Sequence, residues 1–105
     1  MNEQEFNRAV TTTLLQVEQA VEASGADIDF ENSGDILTLG FDNGTKIILN
    51  RQGAAQQLWV AARAGGFHYD WRDGRWRNDQ TGADLLDELS RLISDQAGTA
   101  MRLTY

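Results

Sequence analysis

The chain has 105 residues and 41% hydrophobic content, the size of one domain with enough apolar side chains for one core. It contains no cysteine, which excludes a disulfide framework, a thiolate metal or cluster site and a cysteine nucleophile. The formal charge is −7, from 16 acids and 9 bases. Such a field repels phosphate backbones, so nucleic acid and anionic membranes are not expected partners, whereas cations and basic protein patches are.

The acids are spread unevenly. Glu18, Glu22, Asp27, Asp29, Glu31, Asp35 and Asp42 follow one another with no Lys or Arg between them. Residues 1–6 have neither a basic start nor an apolar run, so no secretory or transit leader is expected. No stretch approaches the roughly 20 apolar residues of a membrane span, and a cytoplasmic address is expected.

The elements follow in chain order. Phe6, Val10, Leu14, Val17 and Val21 recur at spacings of three and four, the stripe of an amphipathic helix, and Ser24-Gly25 ends it. Glu18 and Glu22 lie one turn apart beside that stripe, at the solvent boundary. Asp27 to Glu31 alternates acid and apolar, the pattern of an edge strand with its carboxylates on one face. Ile36 to Phe41 reads as a second strand, Asn43-Gly44 as a tight hairpin turn and Thr45 to Asn50 as a third strand. Gln57 to Ala62 reads as a fourth strand, Gly65-Gly66 as the loop after it and Phe67 to Trp71 as a fifth. Asp73-Gly74 then turns the chain into a short sixth strand around Trp76. Thr81 is the expected N-cap of a second helix, with Asp84 three residues on. Its core face is Leu85, Leu86, Leu89, Leu92 and Ile93. Gln96-Ala97-Gly98 ends it, and Met101 to Tyr105 is a short tail. The expected fold is α+β: a two-layer sandwich of two helices packed on one face of a six-stranded antiparallel sheet, one domain over residues 1–105.

Enzyme constellations are not evident. His68 is the only histidine and stands inside a strand with no catalytic motif around it. Gly65-Gly66 has no Walker lysine and no helix after it, so it is not a phosphate cradle. The acidic run reads two ways. It is a solvated face, or Glu18, Glu22, Asp27, Asp29 and Glu31 gather oxygen ligands for a hard cation held weakly in incomplete sites. Trp59 also reads two ways. With Leu58 and Val60 in the core it stands on the open face as a partner contact, and with the opposite phase it is itself core. Trp71 and Trp76 fit a cross-strand aromatic pair that fixes the last hairpin.

The whole chain resembles the bacterial branch of the frataxin family. The resemblance is carried by Asn50-Arg51-Gln52 followed by Gln57-Leu58-Trp59-Val60, by Gly66-Phe67-His68-Tyr69-Asp70-Trp71 with Trp76, and by Asp79-Gln80-Thr81-Gly82 before Leu85-Leu86. The opening Met1 to Phe6 and the hairpin Phe41 to Ile48 are similar to that branch too. The resemblance implies iron (Fe2+ or Fe3+) weakly bound at Glu18, Glu22, Asp27, Asp29 and Glu31. It implies an exposed sheet signature of Trp59, Asn50, Gln52 and Gln57 that docks on the cysteine desulfurase and scaffold protein of iron–sulfur cluster assembly. An iron-binding regulator or adaptor, not an enzyme and monomeric without metal, is therefore expected. An iron donor or ferroxidase-like store is the alternative, and an acidic interaction domain with incidental metal binding is a third. The chain departs from the family pattern twice. Gly53-Ala54-Ala55 stands where a proline is usual, and Gln19 and Ala23 are uncharged where related chains are commonly acidic.

Overall fold

The expected order of elements is the observed one. In the computed structural model, which describes residues 1–103, helix α1 (Glu3–Ala23) leads into six strands and ends in helix α2 (Leu85–Ala97). The strands are β1 (Ile28–Asn32), β2 (Ile36–Phe41), β3 (Lys46–Gln52), β4 (Gln57–Ala62), β5 (Gly65–Arg72) and β6 (Arg75–Asn78). They form one antiparallel sheet in sequence order, so every connection is a hairpin. The α+β two-layer sandwich is therefore present as expected.

Helix α1 starts on a full capping box: the Asn2 side chain accepts from Glu5 N at 2.8 Å and Glu5 reaches back to Asn2 N. Its predicted stripe is buried in full, and Thr13 joins it because the Trp76 indole donates to its hydroxyl at 2.9 Å. Along the sheet, every second residue turns inward: Leu37, Leu39, Ile47, Leu49, Leu58, Val60 and Tyr69 are at most 2% exposed. Both helices cover that face, and among the described residues no second layer covers the other. Trp76 lies at the centre, edge-on to Phe6 with ring centroids 6.1 Å apart and to Trp71 at 5.1 Å. Trp71 and Trp76 are cross-strand partners, as the pattern predicted.

Several boundaries differ for local reasons. The turn between β2 and β3 holds three residues, not two: Phe41 N donates to Thr45 O and Gly44 takes φ +87°, the position that glycine fills without strain. Gly65 and Gly66 are not a loop but the start of β5, paired with Ala62 and Ala61, because Arg63-Ala64 alone reverses the chain. The N-cap of α2 is Asp84, which accepts from Leu86 N at 3.0 Å and Asp87 N at 3.2 Å. Thr81 is instead spent on the preceding turn, where its hydroxyl accepts from Ala83 N and Gly82 bonds back to Asn78 O. Leu92 is half-buried, on the rim of the face that was expected to be core. Of the tail, residues 101–103 strap along α2: Met101 N donates to Ser94 Oγ, Leu103 N donates to Ser90 Oγ, and Leu103 is buried. Residues 104–105 of the expected tail lie outside the described residues.

Two stability predictions arise here. Gln56, in the turn that lacks the family proline, holds φ +50°. Gln56→Gly should raise stability by about 1 kcal/mol in urea unfolding, since a left-handed residue costs roughly 1–2 kcal/mol when it carries a Cβ. Tyr69 is buried, and its hydroxyl donates to Glu88 Oε1 at 2.7 Å. Burial, then the hydrogen bond and charge of Glu88, push its ionisation far above the ordinary tyrosine range. A raised folded value means stability is complete below the unfolded value, about pH 10, and is lost as pH climbs above it. The urea midpoint of the native protein should therefore fall above about pH 10 more steeply than that of Tyr69→Phe. Equal slopes would show that Tyr69 ionises freely in the fold.

Candidate functional site

The acidic run wraps around the β1 edge of the sheet. Register places Asp29 opposite Gly40 and Glu31 opposite Thr38, on the open face, whereas Ile28, Phe30 and Asn32 belong to the helix side. Asn32 meets α1 there and donates to Glu18 Oε2 at 2.8 Å. Glu18 and Glu22 therefore lie on the helix side of the edge and Asp29 and Glu31 on the other, with Asp27 at the entrance to the strand. Glu22, Asp27, Asp29 and Glu31 are exposed and make no ion pair among the described residues. No three His, Cys, Asp or Glu side chains among the described residues converge closely enough to hold one ion. The edge is thus a band of carboxylates with open coordination. It fits hard cations that keep most of their water, not a closed cage. Asp35, the next acid, is drawn to Arg51, with Oδ1 at 3.4 Å from Nε.

The open face carries the other predicted set. Leu58 and Val60 are buried, so Trp59 stands on the far side, and its strand phase is the one with a surface indole. One row across the sheet runs Ile36, Asn50, Trp59, His68; the next runs Gln52, Gln57, Asp70, Arg77. Trp59, Asn50, Gln52 and Gln57 thus form one contiguous patch. Trp59 is half-buried because its ring lies flat on His68, with centroids 4.2 Å apart and planes 14° from parallel. Its Nε1 donates to Gln57 Oε1 at 2.9 Å. Gln57 Nε2 in turn donates to Asp70 Oδ1 at 3.0 Å and Asp79 Oδ2 at 3.2 Å. The indole is held in place by this chain of bonds.

Three features were not read from the sequence. Arg51, between Asn50 and Gln52, turns inward and ties β3 to α1 through Asn7 Oδ1 at 2.8 Å and Thr11 Oγ1 at 3.3 Å. The Gln57–Asp70–Asp79 support of Trp59 needs cross-strand register, which composition does not carry. Arg72, Arg75 and Arg77 share the open face at its far edge. Their alternation with inward Trp71 and Trp76 was the available signal.

A family model described as a frataxin-like domain matches residues 1–99. A chain from Dechloromonas aromatica is 44% identical over 104 residues, covering 98% of this chain and 99% of the relative. One from Paraburkholderia phymatum is 39% identical over 103 residues, 98% of each. Both bear the name iron-sulfur cluster assembly protein CyaY. Among solved structures, a frataxin from Psychromonas ingrahamii matches with a TM-score of 0.94 and 38% identity, covering 100% of both chains. Trimeric yeast frataxin, solved complexed with ferrous, matches with a TM-score of 0.70 at 24% identity over 94% of this chain and 88% of the yeast chain, a likeness of fold. With a family match over nearly all its length, relatives at these identities and the same order of elements, the chain belongs to the frataxin-like family, in the bacterial CyaY branch whose named members are iron–sulfur cluster assembly proteins.

Proposed function

We propose that the chain is an iron-binding regulator or adaptor of iron–sulfur cluster assembly that docks on a cysteine desulfurase and its scaffold protein. It acts in the cytoplasm as a single frataxin-like domain and as a binding protein, not an enzyme. The observation that carries this reading is Trp59, locked by His68 and Gln57 on the sheet face away from the helices, beside an acidic edge whose Glu22, Asp27, Asp29 and Glu31 make no ion pair among the described residues. A large aromatic fixed in advance loses little freedom on binding, and such residues anchor interfaces. The acidic band supplies long-range attraction to a basic groove. His68, the one histidine, is committed to stacking on Trp59 and lies 3.9 Å from Asp79.

Iron enters as cargo at the carboxylate band. The split of the acids between two faces favours weak, hydrated association and weighs against an iron store or ferroxidase, which needs ligands converging on one ion. Ferric or ferrous iron should perturb the NMR signals of Glu18, Glu22, Asp27, Asp29 and Glu31 first, with competition from other hard cations. Perturbation centred on His68 or α2 would overturn that placement.

The function is tested by desulfurase turnover after rigorous removal of iron. An adaptor changes turnover without iron, and iron then modulates the effect. A protein that alters cluster formation only in proportion to the iron it delivers would be a donor instead.

A further inference from the structure

The open face is charged at both ends, not one. Asp29 and Glu31 mark its β1 side, and Arg72, Arg75 and Arg77 its β6 side, with Trp59 between them. In a chain of net charge −7 this arginine group is placed against local preference. Arg72 stands directly opposite Arg75, and like charges directly opposite one another destabilise a strand pair. Arg75 reaches round to Asp84 at 4.0 Å, and Arg72 donates weakly to Asn78 O at 3.4 Å. The Arg77 side chain is half-buried and makes no hydrogen bond or ion pair among the described residues. Its cross-strand neighbour Asp70 accepts from Gln57 Nε2 through Oδ1. Like charges gathered on one edge are a local conflict, and in natural sequences such conflicts mark functional surfaces.

We infer that Arg72 and Arg77 form a second electrostatic anchor, which holds an acidic polypeptide segment of the partner while Trp59 takes an apolar residue beside it. This rests on the docking reading above and adds its polarity. The partner presents a basic surface to β1 and an acidic segment to β6, so it can seat in only one orientation. Charge complementarity chooses the occupant. A guanidinium fork matches a carboxylate with two parallel hydrogen bonds. A nucleic acid or other long polyanion would run across the sheet into Asp29 and Glu31 and be repelled. A short acidic segment ends before them.

The test uses the full chain, isotopically labelled, with a synthetic oligoglutamate peptide carrying one central leucine as probe. At low salt the peptide should shift the signals of Arg72, Arg77, Gln57 and the Trp59 indole. The pair Arg72→Gln and Arg77→Gln, which keeps the side chains' polarity and removes both charges, should bind about tenfold more weakly, as loss of two partly exposed ion pairs predicts. Shifts spread evenly over Arg8, Lys46 and Arg102 would overturn the assignment, as would unchanged affinity of the double variant. Concentration-dependent shifts at the arginines without peptide would mean that a second copy of this chain is the occupant, and would also overturn it. The two readings fail separately. If desulfurase binding ignores Trp59→Ala while the peptide still needs the arginines, docking fails and the anchor stands. If desulfurase binding needs Trp59 and is indifferent to both arginine substitutions, docking stands and the anchor fails.

Discussion

Trp76→Ala is expected to leave the chain mostly unfolded at room temperature. Its indole is fully buried between Phe6 of α1 and Trp71 of β5, so truncation opens a cavity that helices and sheet share. A buried Trp→Ala change costs about 3–5 kcal/mol through lost burial and the cavity left behind. It also orphans the Thr13 hydroxyl, which is 5% exposed and accepts from Trp76 Nε1, at a further cost of about 1–3 kcal/mol. The sum approaches the whole stability of about 5–15 kcal/mol that a domain of this size has. Trp76→Phe keeps most of the packing and loses the hydrogen bond, so it should fold with a lowered midpoint. Urea unfolding followed by circular dichroism separates the three proteins. An alanine variant within about 1 kcal/mol of native would mean that the indole is not the centre of the core.

The framework of this fold was legible because its periodicities are clean. The α1 stripe, the alternation in β2 to β4 and the Asp73-Gly74 turn, with φ +53° and +77°, are where the pattern put them. What escaped was local competition between neighbouring backbone groups. The Thr81-x-x-Asp84 spacing imitates a capping box, but Gly82 at φ +76° stops the helix from starting there and hands the cap to Asp84. The carboxylates of the edge were read as one set because α1 and β1 are close in sequence. Their separation onto two faces depends on register, since Asn32 and not Asp29 or Glu31 turns toward Glu18. The alternation of β4 alone left Trp59 between two strand phases; the family resemblance implied a surface ring, and the burial of Leu58 and Val60 agrees with it.

Trp59→Ala should leave the fold nearly intact and damage docking. The ring is half-buried, on the face away from the core, and rests on His68 and Gln57, whose backbones the sheet holds regardless. A melting temperature near that of the native protein is therefore expected. If the ring is the short-range anchor against the desulfurase or its scaffold protein, its removal costs about 1–3 kcal/mol of binding, and most of that is lost as faster dissociation. Gln57→Ala should give a smaller effect of the same sign, because it frees the indole without removing it.

In the proposed docking the acidic edge acts on a different step, and the sharpest measurement reads both at once: association and dissociation rates of the purified protein with the desulfurase at low and high salt. Exposed charges of opposite sign on two partners speed encounter, and salt screens them over about 10 Å at 0.1 M. The double reversal Glu18→Lys and Glu22→Lys should slow association at low salt, flatten its salt dependence and leave dissociation almost unchanged. Trp59→Ala should do the reverse, with native association and fast release. A reversed protein that associates as fast as the native one at low salt would show that the acidic edge serves only solubility, and the proposed docking of this face would be contradicted.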